Sequence, residues 1–279
     1  MFHRSKHVVL ILLGLCIVLT LSACGNRQDG ARRSKLVILG STALQPMIEE
    51  AARLYRGRNP QVEITVQGGG SGTGMTQVAT GTADIGMSDI TIEERPELMN
   101  AGLVDHPIAI IGFAIAVHPE VNVTTLTKAQ VKDIFSGKIT NWSAVGGADL
   151  PITVINRPEG SGTRSTFNRI FMGNEKAIES ITQDSSGAIR RTISDTPGAI
   201  GYLAFSYLND SIKTLHLDGV APTEDNIRNN SYTFWAYEHL YTKGEPNPEV
   251  KAFIDYILST EIQTTVVPKM KLISVQTAD

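Results

Sequence analysis

VEITVQGGGSGTGM, residues 62–75, begins as a β-branched run and then breaks into glycine, serine and threonine. Val62 to Gln67 reads as a strand, Gly68 to Gly74 as a turn, and a helical pattern follows from Met75 onward. The same event recurs twice. LGSTA (39–43) precedes the helix that contains Pro46, and RPEGSGTR (157–164) precedes a helix from Phe167 onward.

The first turn of a helix presents N–H groups without intrahelical acceptors, and the macrodipole adds partial positive charge at the same place. Glycine lets backbone approach a ligand closely, and Ser or Thr adds a hydroxyl donor. Taken singly, each turn is equally an ordinary N-cap or a linker. Three in one chain, one with Arg157 at its strand end, are able to converge on a single oxyanion.

Other meanings fail on spacing. The 68–74 run lacks the lysine of a P-loop, fits G-x-G-x-x-G in no register and is not a G-x-S-x-G nucleophile elbow. His106, His118, His216 and His239 are too scattered to ligate a metal together, so neither a metal nor a cofactor is expected. A surface phosphatase using Ser71 or Ser161 as nucleophile stays open as an alternative, for which the sequence supplies no neighbouring base.

Working outward, Leu36 to Leu39, Ala83 to Met87, Ile108 to Val117, Ile152 to Ile155 and Ala199 to Leu203 read as further strands. Met47, Ala51, Leu54 and Tyr55 share one helical face, as do Val131, Ile134 and Phe135. The alternation predicts an α/β protein. Ile108 to Val117 and Thr233 to Thr242 are long enough to pass between two lobes, and Pro248 to Val267 reads as one closing helix.

With 279 residues, 42% apolar and 19% charged, the chain can bury a sizeable core. Its net charge is -3. Removing residues 1–23 takes away Arg4 and Lys6 and leaves -3 - 2 = -5, which argues against nucleic acid as a partner.

The N-terminus reads as a secretory signal, basic from Met1 to His7 and apolar from Val8 to Leu21, with Ser22-Ala23-Cys24 after it. Leu21-Ser22-Ala23-Cys24 resembles the bacterial lipobox, which implies cleavage after residue 23 and lipid, such as palmitate, on Cys24. Cys16 lies within the signal, so Cys24 is the single cysteine of the mature chain and has no disulfide partner there. Residues 24–34 are polar and aperiodic and are expected to form a flexible tether, with folded structure from Lys35.

Six segments resemble the phosphate-binding lipoproteins of bacterial ABC phosphate importers: GSTALQP (40–46), QGGGSGTG (67–74), ADIGMSD (83–89), FSGKITNW (135–142), RPEGSGTR (157–164) and TPGAIGYL (196–203). The resemblance runs from about Lys35 to Met270. It implies the two-lobed type II periplasmic-binding-protein fold, each lobe a mixed β-sheet flanked by helices and joined by crossing hinge strands. Lobe I would comprise residues 35–112 and 236–279, and lobe II residues 113–235.

The same resemblance implies a receptor, not an enzyme, that captures inorganic phosphate and delivers it to the transmembrane subunits of an ABC importer. It would work as a monomer on the outer face of the cytoplasmic membrane. The implied phosphate ligands are Thr42, Ala43, Ser71, Gly72, Asp89, Arg157, Ser161, Gly162 and Thr163, supported by Ser41 and by Glu159 as the acid that orients Arg157. Ala43 stands where some members carry an aromatic, so only its backbone contact is carried over. A different tetrahedral oxyanion, sulfate or molybdate, is the alternative within the binding class.

Overall fold

The computed structural model describes residues 34–275. The signal, Cys24 and the tether up to residue 33 lie outside the described residues. Ser34, assigned to the tether from sequence, is the first residue of strand β1 (Ser34–Gly40).

β1 alternates its burial, with Leu36, Ile38 and Gly40 inward, as expected of a strand with one face on a core. It feeds helix α1 (Gln45–Arg58), where Pro46 sits in the first turn, a place in which its missing N–H costs nothing, and Met47, Ile48, Ala51 and Ala52 form the buried stripe. Strand β2 (Val62–Gln67), helix α2 (Ser71–Ala79) and strand β3 (Ile85–Ser88) complete a βαβαβ unit with sheet order β2-β1-β3. β1 and β3 run parallel, with Ile38 against Ile85.

Strand β4 (Leu103–Val117) is the backbone of the rest of the fold. Its last ten residues are almost wholly buried, the continuous apolar run of a strand covered on both faces. Short β5 (Thr125–Leu126) and helix α3 (Lys128–Phe135) come next, the helix opened by a reciprocal capping box between Thr127 and Gln130. Strand β6 (Thr153–Asn156), helix α4 (Gly162–Phe167) with a π turn over Asn168–Met172, strand β7 (Ile181–Thr182), helix α5 (Ser186–Asp195) and strand β8 (Ala199–Ala204) then build a second parallel set. β9 (Lys213–Thr214), β10 (His216–Leu217) and α6 (Glu224–Arg228) lead to β11 (Trp235–Lys243). Helices α7 (Pro248–Ile257) and α8 (Thr260–Lys269) and strand β12 (Leu272–Ser274) close the described chain.

The main sheet runs in the order β2-β1-β3-β11-β4-β8-β6-β7. β4 pairs antiparallel with β11 from Leu103 to Gly112, then with β8 from Phe113 to Val117. One strand therefore belongs to two pairing systems. Beside that switch, Phe167 stacks on Tyr202 at 4.2 Å, and Phe171 meets Phe234 edge-on at 5.0 Å. Such aromatic contacts contribute about 0.5–1.5 kcal/mol each beyond burial and fix α4 against β8.

Four boundaries differ from the sequence reading by more than two residues. β4 begins five residues before Ile108, because Leu103 to Pro107 find a partner strand in β11 that local pattern does not reveal. α2 and α4 start at Ser71 and Gly162, inside the glycine-rich runs, not at Met75 and Phe167. The closing helix is two: α7 ends at Ile257, and Ser259, extended at φ -64° and ψ 150°, caps α8 by accepting from Ile262 N. Apolar periodicity continues across the break and hides it.

Candidate anion-binding site

Four turns among the described residues converge where β1, β2, β6 and β7 hand over to helices. At the first, Gly40 lies against β3 so closely that a Cβ would sit 2.1 Å from the Met87 carbonyl oxygen, at a φ of +146°. Ser41 N–H then donates to that carbonyl, and Ser41 Oγ accepts from Ala43 N and Leu44 N at 3.1 and 3.2 Å. The serine thus serves the first turn of α1, and the Thr42 hydroxyl turns inward. Thr42 is held from behind by Tyr207, whose hydroxyl donates to its carbonyl at 2.7 Å and whose ionisation burial pushes up to about 12.

Arg157 follows β6 and is 1% exposed. Its Nε donates to Gln183 O and its Nη2 to Asp184 O, both at 3.1 Å, while Nη2 also reaches Thr42 Oγ1 at 3.3 Å. Arg164 Nη1 donates to the Arg157 carbonyl at 2.7 Å, so it clamps the arginine's backbone. Burial lowers the pKa of Arg157, opposed chiefly by the Asp89 carboxylate.

Asp89 follows β3 and is 2% exposed. Its N–H donates to Ser71 Oγ at 3.0 Å, and its Oδ2 accepts from Thr163 Oγ1 at 2.8 Å. Its Oδ1 is buried with no hydrogen-bond donor. Burial pushes the carboxyl upward; the hydroxyls of Ser41 and Thr163, the charge of Arg157 and the hydroxyl of Ser71 oppose it. The anion of Asp89 is therefore favoured by neighbours and disfavoured by desolvation.

The second and third turns touch directly. Gly72 N–H donates to Gly160 O at 2.9 Å, and Gly70, at φ +88°, adopts a conformation that glycine allows. A Cβ on Gly162 would lie 2.2 Å from Ser71 Oγ and 3.0 Å from Asp89 Cβ. Ser161 caps α4 by accepting from Arg164 N, with Gly162 and Thr163 in the buried first turn.

Thr42, Ser71, Asp89, Arg157, Gly162 and Thr163 thus come together, Gly72 joins through Gly160, and Ser161 serves as the cap. The Ala43 N–H is directed to Ser41 Oγ. Glu159 departs from the sequence expectation: it is exposed, and the carbonyls of Gln183 and Asp184 orient Arg157 in its place. A proline-glycine turn carries Glu159 outward before the chain folds back at Ser161.

Ser186 is the residue that sequence reasoning missed. It is fully buried, its N–H donates to Thr42 Oγ1 at 3.2 Å, and its Oγ lies 3.5 Å from Arg157 Nη1. Ser185-Ser186-Gly187 before the amphipathic α5 repeats the strand, serine and glycine, helix pattern, and was legible as a fourth instance. Beside Asp89 a cavity of about 450 Å³, lined also by Glu94, Arg169, Trp235 and His239, borders the site, whereas Thr42, Arg157 and Ser186 lie beyond it. Among the described residues no group of three or more His, Cys, Asp or Glu could hold a metal ion.

The arrangement offers hydroxyl and backbone donors, one guanidinium and one carboxylate, all desolvated. It suits an anion that also carries a proton.

Comparison with known proteins agrees with that chemistry. A family model described as a PBP superfamily domain matches residues 25–261. The phosphate-binding protein PstS of Bacillus subtilis is 43% identical over 95% of this chain and 92% of its own length. A crystal structure of a phosphate ABC transporter substrate-binding protein with bound phosphate from Clostridium perfringens superposes with a TM-score of 0.81 at 39% identity, covering 87% of this chain and all of that one. An ABC-type phosphate transport receptor from Vibrio cholerae superposes with a TM-score of 0.69 at 28% identity, over 85% and 99% of the two chains. On sequence, fold and site together, the chain belongs to the PstS phosphate-binding family of the PBP superfamily.

Proposed function

We propose that this protein is an extracytoplasmic receptor that captures inorganic phosphate and delivers it to an ABC-type importer. The observation that carries the reading is the buried pairing of acceptor and donors: Asp89 with Thr163 and Ser71 on one side, Arg157 with Thr42 and Ser186 on the other. Phosphate near neutral pH still has a proton to donate to Asp89, whereas sulfate has none. Sulfate would leave a desolvated carboxylate facing an oxygen lone pair, which costs on the order of several kcal/mol. At about 1.4 kcal/mol per factor of ten, rejection by thousands is the consequence.

Thr42, Ser71, Asp89, Arg157, Ser161 and Thr163 would supply side-chain contacts, with a backbone N–H at Gly162, whereas the N–H groups of Ala43 and Gly72 are taken by Ser41 Oγ and Gly160 O and would shape the turns. Capture and release would come from relative motion of lobe I (residues 35–112 and 236–279) and lobe II (113–235), with β4 and β11 as the hinge; the exchange of β4's partner between Gly112 and Phe113 supports that division. We assign the protein to the outer face of the cytoplasmic membrane, held as a monomer by lipid on Cys24. The lipobox-like segment supports that anchor.

Calorimetric titration of the chain from Gly25 onward with phosphate, sulfate and molybdate at pH 7 tests the reading. Micromolar or tighter binding of phosphate alone is the expected result. Equal affinity for sulfate would overturn the role given to Asp89.

A further inference from the structure

Glu238 is fully buried in the middle of β11, a place where a lone carboxylate has no water to solvate it. The antiparallel register sets His239 against Ser88 and Leu240 against Met87, so Glu238 and Asp89 each adjoin the last paired residues, where β11 also bulges against β4 between Glu238 and His239. The Asp89 carboxyl is the ionisable neighbour that acts on the Glu238 side chain, both through its charge and as a hydrogen-bonding group. Three carboxylate oxygens of these two residues are buried without a hydrogen-bond partner: Asp89 Oδ1, Glu238 Oε1 and Glu238 Oε2.

Two ionised carboxylates facing one another in a dry interior repel, and neither could satisfy the other. One shared proton removes both problems, since a protonated carboxyl donates through its O–H while the ionised partner accepts. We propose that Glu238 is a neutral carboxylic acid that donates a hydrogen bond to Asp89 Oδ1 and so acts as a positioning residue for phosphate selection. The surroundings decide which group keeps the proton. Ser41, Thr163, Ser71 and Arg157 all favour the anion at Asp89, whereas burial and Asp89 itself both favour the neutral form at Glu238. His239, the next residue of β11, engages Asp105 at 2.8 Å.

The consequence concerns selectivity. A donor on Oδ1 fixes the Asp89 rotamer and keeps its charge despite burial, while Oδ2 retains a lone pair beyond the one taken by Thr163. That lone pair would receive the proton of the bound phosphate, so the role rests on the function proposed above.

The test uses the chain from Gly25 onward and two variants, Glu238→Gln and Glu238→Leu. In the absence of anion at neutral pH, the infrared difference between wild type and Glu238→Gln is expected to contain the carbonyl stretch of a protonated carboxylic acid. Calorimetry with phosphate is expected to place Glu238→Gln, whose amide still donates, within about threefold of wild type, and Glu238→Leu weaker by about tenfold. Absence of the band overturns the shared proton, and wild-type affinity in Glu238→Leu, or equal weakening in both variants, overturns the positioning role. Should Glu238→Leu fail to fold, the band and Glu238→Gln decide. A chain that shows the band but binds no phosphate supports the shared proton and overturns the functional reading instead.

Discussion

Thr163 Oγ1 donates to Asp89 Oδ2 at 2.8 Å, joining the first turn of α4 to the end of β3 through two side chains that are each at most 2% exposed. That bond uses one acceptor site of Asp89 and leaves others for a proton carried by the ligand. Replacing Asp89 with Asn retains an acceptor for Thr163 but adds an amide donor where the carboxylate was. The phosphate-to-sulfate affinity ratio is expected to shrink by on the order of a hundredfold, about 2.7 kcal/mol. Calorimetry with both anions at pH 7 measures it, and an unchanged ratio would contradict the role of Asp89.

Gly162 allows close approach, because the Cβ of an alanine there would lie 2.2 Å from Ser71 Oγ. Ser71 begins α2 and Gly162 begins α4, so relief of the clash must separate the turns that face the ligand. Gly162→Ala is expected to weaken phosphate binding more than about tenfold, since misplacing charge-assisted donors forfeits about 1.5–3 kcal/mol each. Titration and thermal melting of the same sample check it. A loss of melting temperature without a loss of affinity would point to local strain alone.

Arg157 makes its contacts as a fork, Nε to Gln183 O and Nη2 to Asp184 O and Thr42 Oγ1. Lysine keeps the charge but supplies one nitrogen, so Arg157→Lys leaves buried carbonyls without donors. Phosphate affinity is expected to fall by about thirty- to a hundredfold. Recovery of wild-type affinity in the lysine variant would mean that charge alone matters.

The pH dependence of stability has a definite sign at Glu238. Burial, then the charge of Asp89, raises its folded-state pKa well above the ordinary 4.5. A carboxyl raised on folding holds its proton in the native state after the unfolded chain has lost it, so its contribution is complete below the unfolded value and is lost as pH rises towards the folded one. The slope approaches about 1.4 kcal/mol per pH unit over that window. Glu238→Gln removes the titration, and its stability advantage over wild type is expected to grow with pH above about 4.5 in urea unfolding. Parallel curves from pH 4 to 8 would show that Glu238 carries no such proton.

Much of the site was legible because its chemistry is local. A strand that breaks into Gly and Ser or Thr before a helix presents donors whatever the rest of the chain does, and Thr42, Ser71, Arg157 and Thr163 could be read from such turns. Ser186 escaped because the strand before its turn, Ile181–Thr182, is only two residues long and gives no β pattern to mark a strand running into a helix. Glu159 misled for the opposite reason: proximity in sequence to Arg157 implied a pair, but the turn at Gly160 sends it to solvent while backbone carbonyls from the segment after β7 hold the guanidinium.

The sequence by itself determined that the chain is an α/β protein, where its anion-facing turns lie, and which of them carries the arginine. Periodicity and backbone donors are properties of a few adjacent residues. Tertiary structure alone decided that the turns meet, that β4 changes partners between Gly112 and Phe113, and that Glu238 is buried beside Asp89. Register between distant strands is set by which side chains must share one core, so a glutamate that reads as an ordinary strand residue acquires its meaning only when β11 is paired with β3.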